Sequence, residues 1–298
     1  MEPLINKYID PMVDYGFKRI FKESGKKQLI IRPINAVFGL DIVDVDIRDS
    51  EQLGLTENER KASKDLFCTT ADGSTFIIEV QLASQQYFME RAIFYSSLTI
   101  AHQAERGEWN FDVQPVFFLG LLNFDLRHLD PSMANPDQFI HRFSLREDST
   151  HEQMSRALRF AFMEIERFDK PKEECITFED RFLYMMKNLP TFVEKPELFW
   201  DDPYFEELME EAEFANMTEE QRWKYALAMK QKWDYKNTID YAHDQGREEG
   251  MAEGREEGRE EGREEGIKQT AKNLKSLGVS DEMIAKATGL TLDQIQAL

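Results

Sequence analysis

Hydrophobic residues near the start of the chain repeat with the period of an α-helix. Phe17, Ile20 and Phe21 form one group, and Leu29 and Ile30 begin a second group that continues to residue 38. Spacings of three and four residues place such side chains on one face of a helix. A Ser-Gly pair separates the two groups, and DIVDVDIRD then alternates apolar and polar residues as a strand does. The pattern predicts two helices followed by a strand.

The next segment, KDLFCTTADGSTFIIEVQ, predicts a β-hairpin over residues 64–81. Both halves are rich in Phe, Thr and Ile, and the Asp-Gly pair between them is a strong turn signal. Side chains alternate between the faces of a strand, so Ile77, Glu79 and Gln81 share one face. Pairing about the turn would bring Asp65, at the far end of the first strand, close to Glu79 and Gln81.

The middle of the chain continues with a helical pattern and then with strands. Residues 84–106 have a helical period, and VQPVFFLGLLNF is an apolar run typical of a strand buried on both faces. FIHRFSLRE would add a strand, while LRFAFMEIERF fits either another strand or a short helix. This succession of elements predicts an α/β core within residues 1–145.

After residue 145 the chain is predicted to be mainly helical. FEDRFLYMMKNL predicts a helix that ends before Pro190, and residues 146–244 are expected to pack on the core as an extension. Residues 245–266 then place a glycine at every fourth position, mostly within Gly-Arg-Glu-Glu units. Each glycine costs about 0.8–1 kcal/mol relative to alanine in a helix. The repeat is therefore either a flexible linker or a helix whose glycine stripe packs on a second helix, which would give a homodimer.

Residues 267–298 predict a small helical cap at the end of the sequence. Ser280 and Thr291 occupy positions from which they would cap two short helices. The succession of short helices and turns predicted here is similar to the helix-turn-helix of small bacterial DNA-binding modules. The last helix, however, has Asp293 and no Lys or Arg. A docking or oligomerisation cap is favoured over a DNA contact.

Composition indicates a folded protein with reduced cysteines. Hydrophobic residues make up 41% of the 298 residues, and 22 of them are Phe. Cys68 and Cys175 lie far apart and match no metal-ligand spacing, which indicates a reducing compartment. The N-terminal segment lacks the pattern of a secretory signal, and no run approaches 18 apolar residues. We expect a cytoplasmic protein without a membrane span.

The formal net charge of −20 disfavours non-specific binding to nucleic acid, but the charge is unevenly spread. Residues 206–266 contain 19 acidic and 9 basic residues, whereas the stretch from Lys7 to Arg32 contains seven basic and three acidic ones. This basic segment would either steer phosphate groups locally or form an ordinary solvated helix face.

The candidate chemistry lies at the end of the predicted hairpin. Glu79 interrupts an apolar strand, where burial of a carboxylate is unfavourable without a compensating partner. Asp65, Glu79 and Gln81 would converge at the edge of the sheet, an arrangement suited to holding a divalent metal against a phosphate. The simpler alternative is a solvent-facing acidic patch beside a turn.

With these residues in place, the chain resembles the PD-(D/E)XK nuclease family of transposase-like proteins, also called recombination-promoting nucleases. The matching segments are DYGFKRIF, KDLFCTTADGSTFIIEVQ, SQQYFMERAIFYSS, FMEIERF, FLYMMKNL, the Gly-Arg-Glu-Glu repeat and IAKATGLTLDQI. The resemblance covers nearly the whole chain and is strongest over residues 10–125. It implies a restriction-endonuclease-like core, with a mixed sheet flanked by helices, followed by a helical region and a charged C-terminal tail.

The resemblance also implies which residues form the active site. Asp65 and Glu79 would bind the metal together with the carbonyl group of Val80. Gln81 stands where most nucleases of this superfamily carry lysine. Asp14 would be an additional acid of the site, or simply an aspartate at the start of a helix.

Two residues on the following helix would contact the substrate. Arg91 and Tyr95 lie one turn apart and would reach a backbone phosphate. The alternatives are a structural ion pair for Arg91 and a core position for Tyr95.

These observations favour a DNA endonuclease that hydrolyses phosphodiester bonds with Mg²⁺, or with Mn²⁺ in its place, in recombination or mobile-element biology. The main alternative is an inactive or weakly active nuclease-fold scaffold that acts through protein–protein interactions. Intact Asp65 and Glu79 favour the enzyme, while Gln81 and the net charge of −20 favour the scaffold. A transposase with strand-transfer activity ranks last, because the sequence lacks a convincing module for site-specific DNA reading.

Overall fold

A six-stranded mixed sheet is the centre of the fold. The computed structural model describes residues 6–48, 65–104, 110–128, 135 and 137–298. The strands are β1 (Asp46–Arg48), β2 (Leu66–Thr69), β3 (Thr75–Gln81), β4 (Val116–Leu122), β5 (Ile140–Ser144) and β6 (Leu158–Glu164). Their spatial order is β1-β2-β3-β4-β6-β5. The neighbours β3, β4 and β6 are parallel, and the pairs β1–β2, β2–β3 and β5–β6 are antiparallel.

The described residues also form α-helices before, between and after these strands in the sequence. They are α1 (Asp14–Lys18), α2 (Gln28–Phe38), α3 (Phe88–Ala101), α4 (Phe178–Asn188), α5 (Pro203–Ala212), α6 (Glu219–Ser276), α7 (Asp281–Thr288) and α8 (Leu292–Gln296). A π-helical turn, Arg19–Glu23, directly continues α1. Several ends are capped by side chains: Thr177 accepts a hydrogen bond from the Asp180 N–H at 3.1 Å, and Thr291 forms a capping box with Gln294.

Apolar layers cover both faces of the sheet, as the residue pattern of β4 requires. All seven residues of β4 are buried, which fits a strand in a parallel arrangement with helices on both sides. The larger layer contains residues of α1, α2, α4 and α5 together with Cys68 and Ile78. The smaller layer joins α3 to Phe118 and Phe162. The predicted α/β class, a mixed sheet flanked by helices, is confirmed.

The β2–β3 hairpin forms with the predicted register. Leu66 pairs with Ile78, and Thr69 pairs with Thr75 across the Asp-Gly turn. Gly73 has a φ of +87°, which explains the glycine after Asp72. The pairing extends towards Asp65 and Glu79, so both residues reach the same end of the hairpin.

Some predicted boundaries differ from the structure. LRFAFMEIERF contributes the strand β6, which pairs between β4 and β5 inside the sheet. The sheet therefore continues past residue 145, where the core was predicted to end, because sheet order depends on pairing between distant segments. The strand predicted within residues 41–49 is limited to β1, and the predicted helix 84–106 is the shorter α3. The polar loop predicted at TENERKAS lies outside the described residues.

The chain divides into two compact units, residues 1–232 and 233–298. In the second unit the glycine repeat is helical: all of residues 245–266 lie within α6. A Cβ atom added at any glycine of the repeat would meet no atom within 4 Å. Dimerisation through this glycine stripe stays a prediction. Ala271, Ile284 and Ile295 form the small core of the terminal helices. Among the described residues, no helix is both long and apolar enough to cross a lipid bilayer.

A buried carboxylate at the end of β6 ties the sheet to the segment after β4. Glu164, which is 1% exposed, accepts hydrogen bonds from the Leu126 N–H at 2.8 Å and from the Arg167 guanidinium at 2.7 and 2.9 Å. Its other close contact is the His141 ring, with Nε2 at 2.8 Å. Burial alone would raise the pKa of Glu164, but the hydrogen bonds from His141, Arg167 and Leu126 outweigh burial and lower it.

We predict that Glu164→Gln lowers the free energy of unfolding by about 2–4 kcal/mol at neutral pH, because it leaves buried donors without the charged acceptor. A lowered pKa in the folded state gives stability that is present above the usual carboxyl pKa and is lost as the pH falls through the folded-state value. The difference between wild type and variant should therefore shrink in acid. Urea unfolding across this pH range measures it, with Glu166→Gln, at an exposed position, as the control. A difference that does not change with pH would contradict the prediction.

Candidate active site

Two carboxylates of the hairpin meet at the C-terminal end of β3. Asp65 lies just before β2, and its Oδ2 accepts a hydrogen bond from the Val80 N–H at 2.5 Å. Glu79 is 3% exposed although it belongs to a strand with apolar neighbours. The register of the hairpin places Asp65 opposite Glu79. The predicted proximity of Asp65, Glu79 and Val80 is therefore present in the structure.

Gln81 and Arg91 complete the polar cluster on the side of Glu79. Gln81 Nε2 donates to Glu79 Oε2 at 3.2 Å, and Arg91 Nη2 donates to Gln81 Oε1 at 2.8 Å. Arg91 Nη2 also lies 3.8 Å from Glu79 Oε2, and the same guanidinium donates to Gln85. α3 follows β3 directly, so the helix places its first-turn arginine above the end of the strand. This arrangement gives the buried Glu79 a cationic partner.

The pKa of the Asp65 carboxyl group is raised by its surroundings. Burial, as the main cause, raises the pKa of Asp65 to about 7, and the negative charges of Asp14 and Glu79 raise it as well. The Val80 N–H and the charge of Lys18 act in the opposite direction. Asp14 is thus within electrostatic reach of Asp65, and it forms an ion pair with Lys18 at 2.7 Å.

Tyr95 lies on the side of α3 that approaches the smaller apolar layer. Burial raises the pKa of its hydroxyl, the charge of Glu79 raises it further, and that of Arg91 lowers it. Its ring packs beside Phe94, with ring centroids 5.9 Å apart. The structure thus brings Tyr95 near the cluster, while its predicted contact with a phosphate stays a prediction.

Three residues that contact or pack beside this cluster were not predicted from the sequence. Lys18 follows Asp14 by four residues, a spacing that could have indicated their ion pair. Gln85 lies in an irregular segment and has no sequence signal. Gly120 pairs with Glu79 on the neighbouring strand, and a Cβ placed there would lie 2.7 Å from the Phe162 ring. That absence of a side chain lets Phe162 pack beside the strand that carries Glu79.

The donor set suits a hard divalent cation. Carboxylate oxygens of Asp65 and Glu79 and a main-chain carbonyl are the ligands that Mg²⁺ accepts, usually with several waters retained. Among the residues that the structure describes, no three His, Cys, Asp or Glu side chains are grouped to hold a metal. A cation here would therefore be bound by two carboxylates, with the rest of its shell from main chain, water and substrate.

The mixed sheet and the carboxylate pair at the end of β3 define a restriction-endonuclease-like α/β protein. Residues 11–242, well over half of the chain, match the family model of PD-(D/E)XK nuclease family transposases. The chain belongs to this family, which confirms the resemblance seen in its motifs and supports a nuclease or transposase-like function. Neither the curated proteins nor the solved structures contain a match to the chain.

Replacement of Gly120 by alanine tests the packing beside the site. We predict that Gly120→Ala lowers the free energy of unfolding by about 1–3 kcal/mol, because its methyl group would overlap the Phe162 ring within a packed aromatic layer. Urea unfolding measures the change. Gly254→Ala is the control, since no atom lies within 4 Å of its added methyl; because alanine is favoured over glycine within a helix, this variant should not lose stability and should gain at most about 1 kcal/mol. Equal stability of Gly120→Ala and wild type would contradict the packing described here.

The coupling between Arg91 and Glu79 can be measured by a double-mutant cycle. We predict a coupling free energy of about 0.5–3 kcal/mol between Arg91→Ala and Glu79→Gln, since Arg91 compensates a buried charge that is absent in the second variant. The unfolding free energies of wild type, both single variants and the double variant supply the cycle. Strict additivity of the two substitutions would show that the ion pair makes no net contribution.

Proposed function

We propose that this protein is a DNA endonuclease that hydrolyses phosphodiester bonds with Mg²⁺ as cofactor and Mn²⁺ as a substitute. The observation that supports it best is the position of Asp65 opposite Glu79 at the end of β3, with the Arg91 cation 3.8 Å from the Glu79 carboxylate. Membership of the nuclease family supports DNA as the substrate class. We further propose a cytoplasmic role in recombination or mobile-element biology.

Each residue of the cluster would have a separate role in hydrolysis. Asp65, oriented by the hydrogen bond that it accepts from the Val80 N–H, and Glu79 would hold the metal through their carboxylates. The bound metal would polarise the phosphate and lower the pKa of the attacking water. Gln81 has no titratable group near neutral pH, so it would orient the water by hydrogen bonds. Arg91 would contact the negatively charged phosphate.

Asp14 and Lys18 would act at the edge of the cluster. Asp14 contributes negative charge near Asp65, which adds to the attraction for a divalent cation. Lys18 holds Asp14 by an ion pair and supplies positive charge on the same side. In a chain with a net charge of −20, such local cations would help a phosphate approach.

A second candidate function is a nuclease-fold scaffold with little or no activity. The observation in its favour is that Gln81, at the position of the usual lysine, is already engaged by Glu79 and Arg91. In this case the second unit, residues 233–298, would recruit partners or a second copy of the chain.

Cleavage of supercoiled plasmid tests the proposal. We predict nicking by the wild type with Mg²⁺ or Mn²⁺, and none with EDTA. Asp65→Ala and Glu79→Ala should each lose about 10²–10⁴-fold in rate, because a metal ligand supports several kcal/mol of transition-state stabilisation. Asp46→Ala, which removes an exposed carboxylate from the neighbouring strand β1, is the matched control and should keep wild-type activity.

The outcomes separate the two candidate functions. Equal nicking by all four proteins would assign the activity to a contaminant or to another site. A folded wild type without activity in either metal would favour the scaffold.

A further inference from the structure

Four arginines lie close together on and beside the strands β5 and β6. Arg142 belongs to β5 and Arg159 to β6, and the pairing of Ser144 with Arg159 puts these positions on one face of the sheet. Arg146 follows Ser144 by two residues and donates to its hydroxyl group at 2.9 Å. Arg156 precedes β6 by two residues. We call these four arginines the arginine cluster.

Uncharged acceptors hold three of the guanidinium groups of the arginine cluster in place. Arg142 Nε donates to the Val37 carbonyl at 2.6 Å. Arg159 Nη1 donates to the Phe38 carbonyl at 3.0 Å. Arg146 Nη1 donates to a main-chain carbonyl of the β5–β6 connection at 2.7 Å. Such hydrogen bonds fix the position of a guanidinium group, but they do not neutralise its charge, and they occupy only some of its five N–H donors.

Little of this positive charge is offset by carboxylates. In the part of the chain that the structure describes, the one ion pair of the arginine cluster joins Arg142 Nη2 to Glu179 Oε1 at 3.3 Å. Arg156 has no hydrogen-bond or ion-pair partner among the same residues. Burial lowers the pKa of Arg159, and the positive charges of the three other arginines lower it further. The arginine cluster is therefore a local region of positive potential in a chain with a net charge of −20.

The basic segment near the N-terminus is different, although it contains more cations. Most of its basic side chains form ion pairs with carboxylates of the described residues. The paired cations are Lys7, Lys18, Arg19, Lys26, Lys27 and Arg32. The positive charge of that segment is thus largely offset within the protein, whereas that of the arginine cluster is not.

Capping of α2 explains part of the arginine cluster. The carbonyl groups in the last turn of a helix have no partner within the helix, and nearby cations are favourable there. Arg142 and Arg159 donate to the last two residues of α2 and therefore have a structural role. Arg146 and Arg156 form no hydrogen bond with α2 in the described structure. Capping does not account for these two exposed side chains.

We propose that the arginine cluster binds the phosphate backbone of DNA, outside the candidate active site and without reading the base sequence. The inference rests on the proposed nuclease function, which makes DNA the ligand. Arg159 is near the N-terminal end of β6, whereas the candidate active site is at the C-terminal end of the parallel strand β3. The arginine cluster would thus be a second contact with the nucleic acid.

The extent and the chemistry of the arginine cluster fit a polyanion. Four residues of extended chain, from Arg142 to Arg146, span about 13 Å, which is longer than a single phosphate group. A DNA duplex carries one phosphate per roughly 1.7 Å of its axis, so several phosphates fall within that span. Guanidinium groups match phosphate geometry with paired hydrogen bonds. The competing occupant is the acidic repeat, residues 245–266, of a second copy of the chain.

Binding of a fluorescein-labelled DNA duplex in EDTA, followed by anisotropy over a range of salt concentrations, tests the inference without cleavage. Arg146→Gln and Arg156→Gln should each reduce the slope of log affinity against log salt by about 0.9, the contribution of one phosphate contact. The loss of affinity should be equal on duplexes of unrelated sequence. Arg156→Lys keeps the charge and should keep the wild-type slope. Arg48→Gln, which removes an exposed arginine paired with Asp46 on β1, is the matched control and should bind as the wild type does.

The outcomes separate this inference from the proposed function. A wild-type slope in both Arg146→Gln and Arg156→Gln would overturn the inference. An equal loss in Arg48→Gln would also overturn it, because it would indicate a general effect of net charge. Dissociation of a wild-type dimer in the two variants, seen by light scattering without a change in DNA affinity, would assign the arginine cluster to a second copy.

Plasmid nicking by the wild type distinguishes the two proposals. Nicking with Mg²⁺ or Mn²⁺ in any of the three cases above would leave the nuclease proposal intact. The expected slopes without nicking in either metal would support the DNA contact and contradict the nuclease function. A folded wild type that neither binds the duplex nor nicks plasmid would overturn both.

Discussion

Burial of the Glu79 carboxylate within a strand of apolar residues is the constraint on which the site depends. A carboxylate that is 3% exposed is stable only with charged or hydrogen-bonding partners. Gln81 on the same face and Arg91 on the first turn of α3 fulfil that role. Gly120 on the adjacent strand leaves room for Phe162 to close the apolar side. α3 thus supplies the cationic partner of the buried Glu79 carboxylate, and the glycine in β4 leaves room for the ring that packs beside it.

Glu164, which is buried, and Asp65, which is half-buried, lie at the same end of the sheet in different electrostatic environments. Glu164, at the end of β6, is surrounded by donors from three residues, and its pKa is lowered as a result. Asp65 instead has one main-chain donor and two neighbouring acids, so its pKa is raised to about 7. A carboxylate already paired with donors stabilises the fold, whereas acids that repel one another attract a cation. This contrast supports the hairpin, and not the end of β6, as the candidate active site.

The turn before α3 is joined to the candidate active site by the hydrogen bonds of Arg91 to Gln85 and Gln81. Arg91 contacts Gln81 inside the cluster, and the same turn carries Tyr87 with its left-handed backbone. A residue held in such a conformation is retained only where the surrounding hydrogen bonds determine it. Arg91 therefore belongs both to the candidate active site and to the first turn of α3.

The sequence alone determined the parts of this protein that depend on neighbouring residues. The Asp-Gly turn and the alternation around it were sufficient to place Asp65 opposite Glu79, because hairpin register follows from turn geometry and side-chain period. For the glycine repeat the local pattern left a helix and a linker both open, and the structure decided for the helix. Only the tertiary structure decided that β6 lies between β4 and β5, that Arg91 binds Gln81, and that Glu164 holds the segment after β4. These last features arise from contacts between separate segments of the chain, and no local pattern encodes which segments will meet.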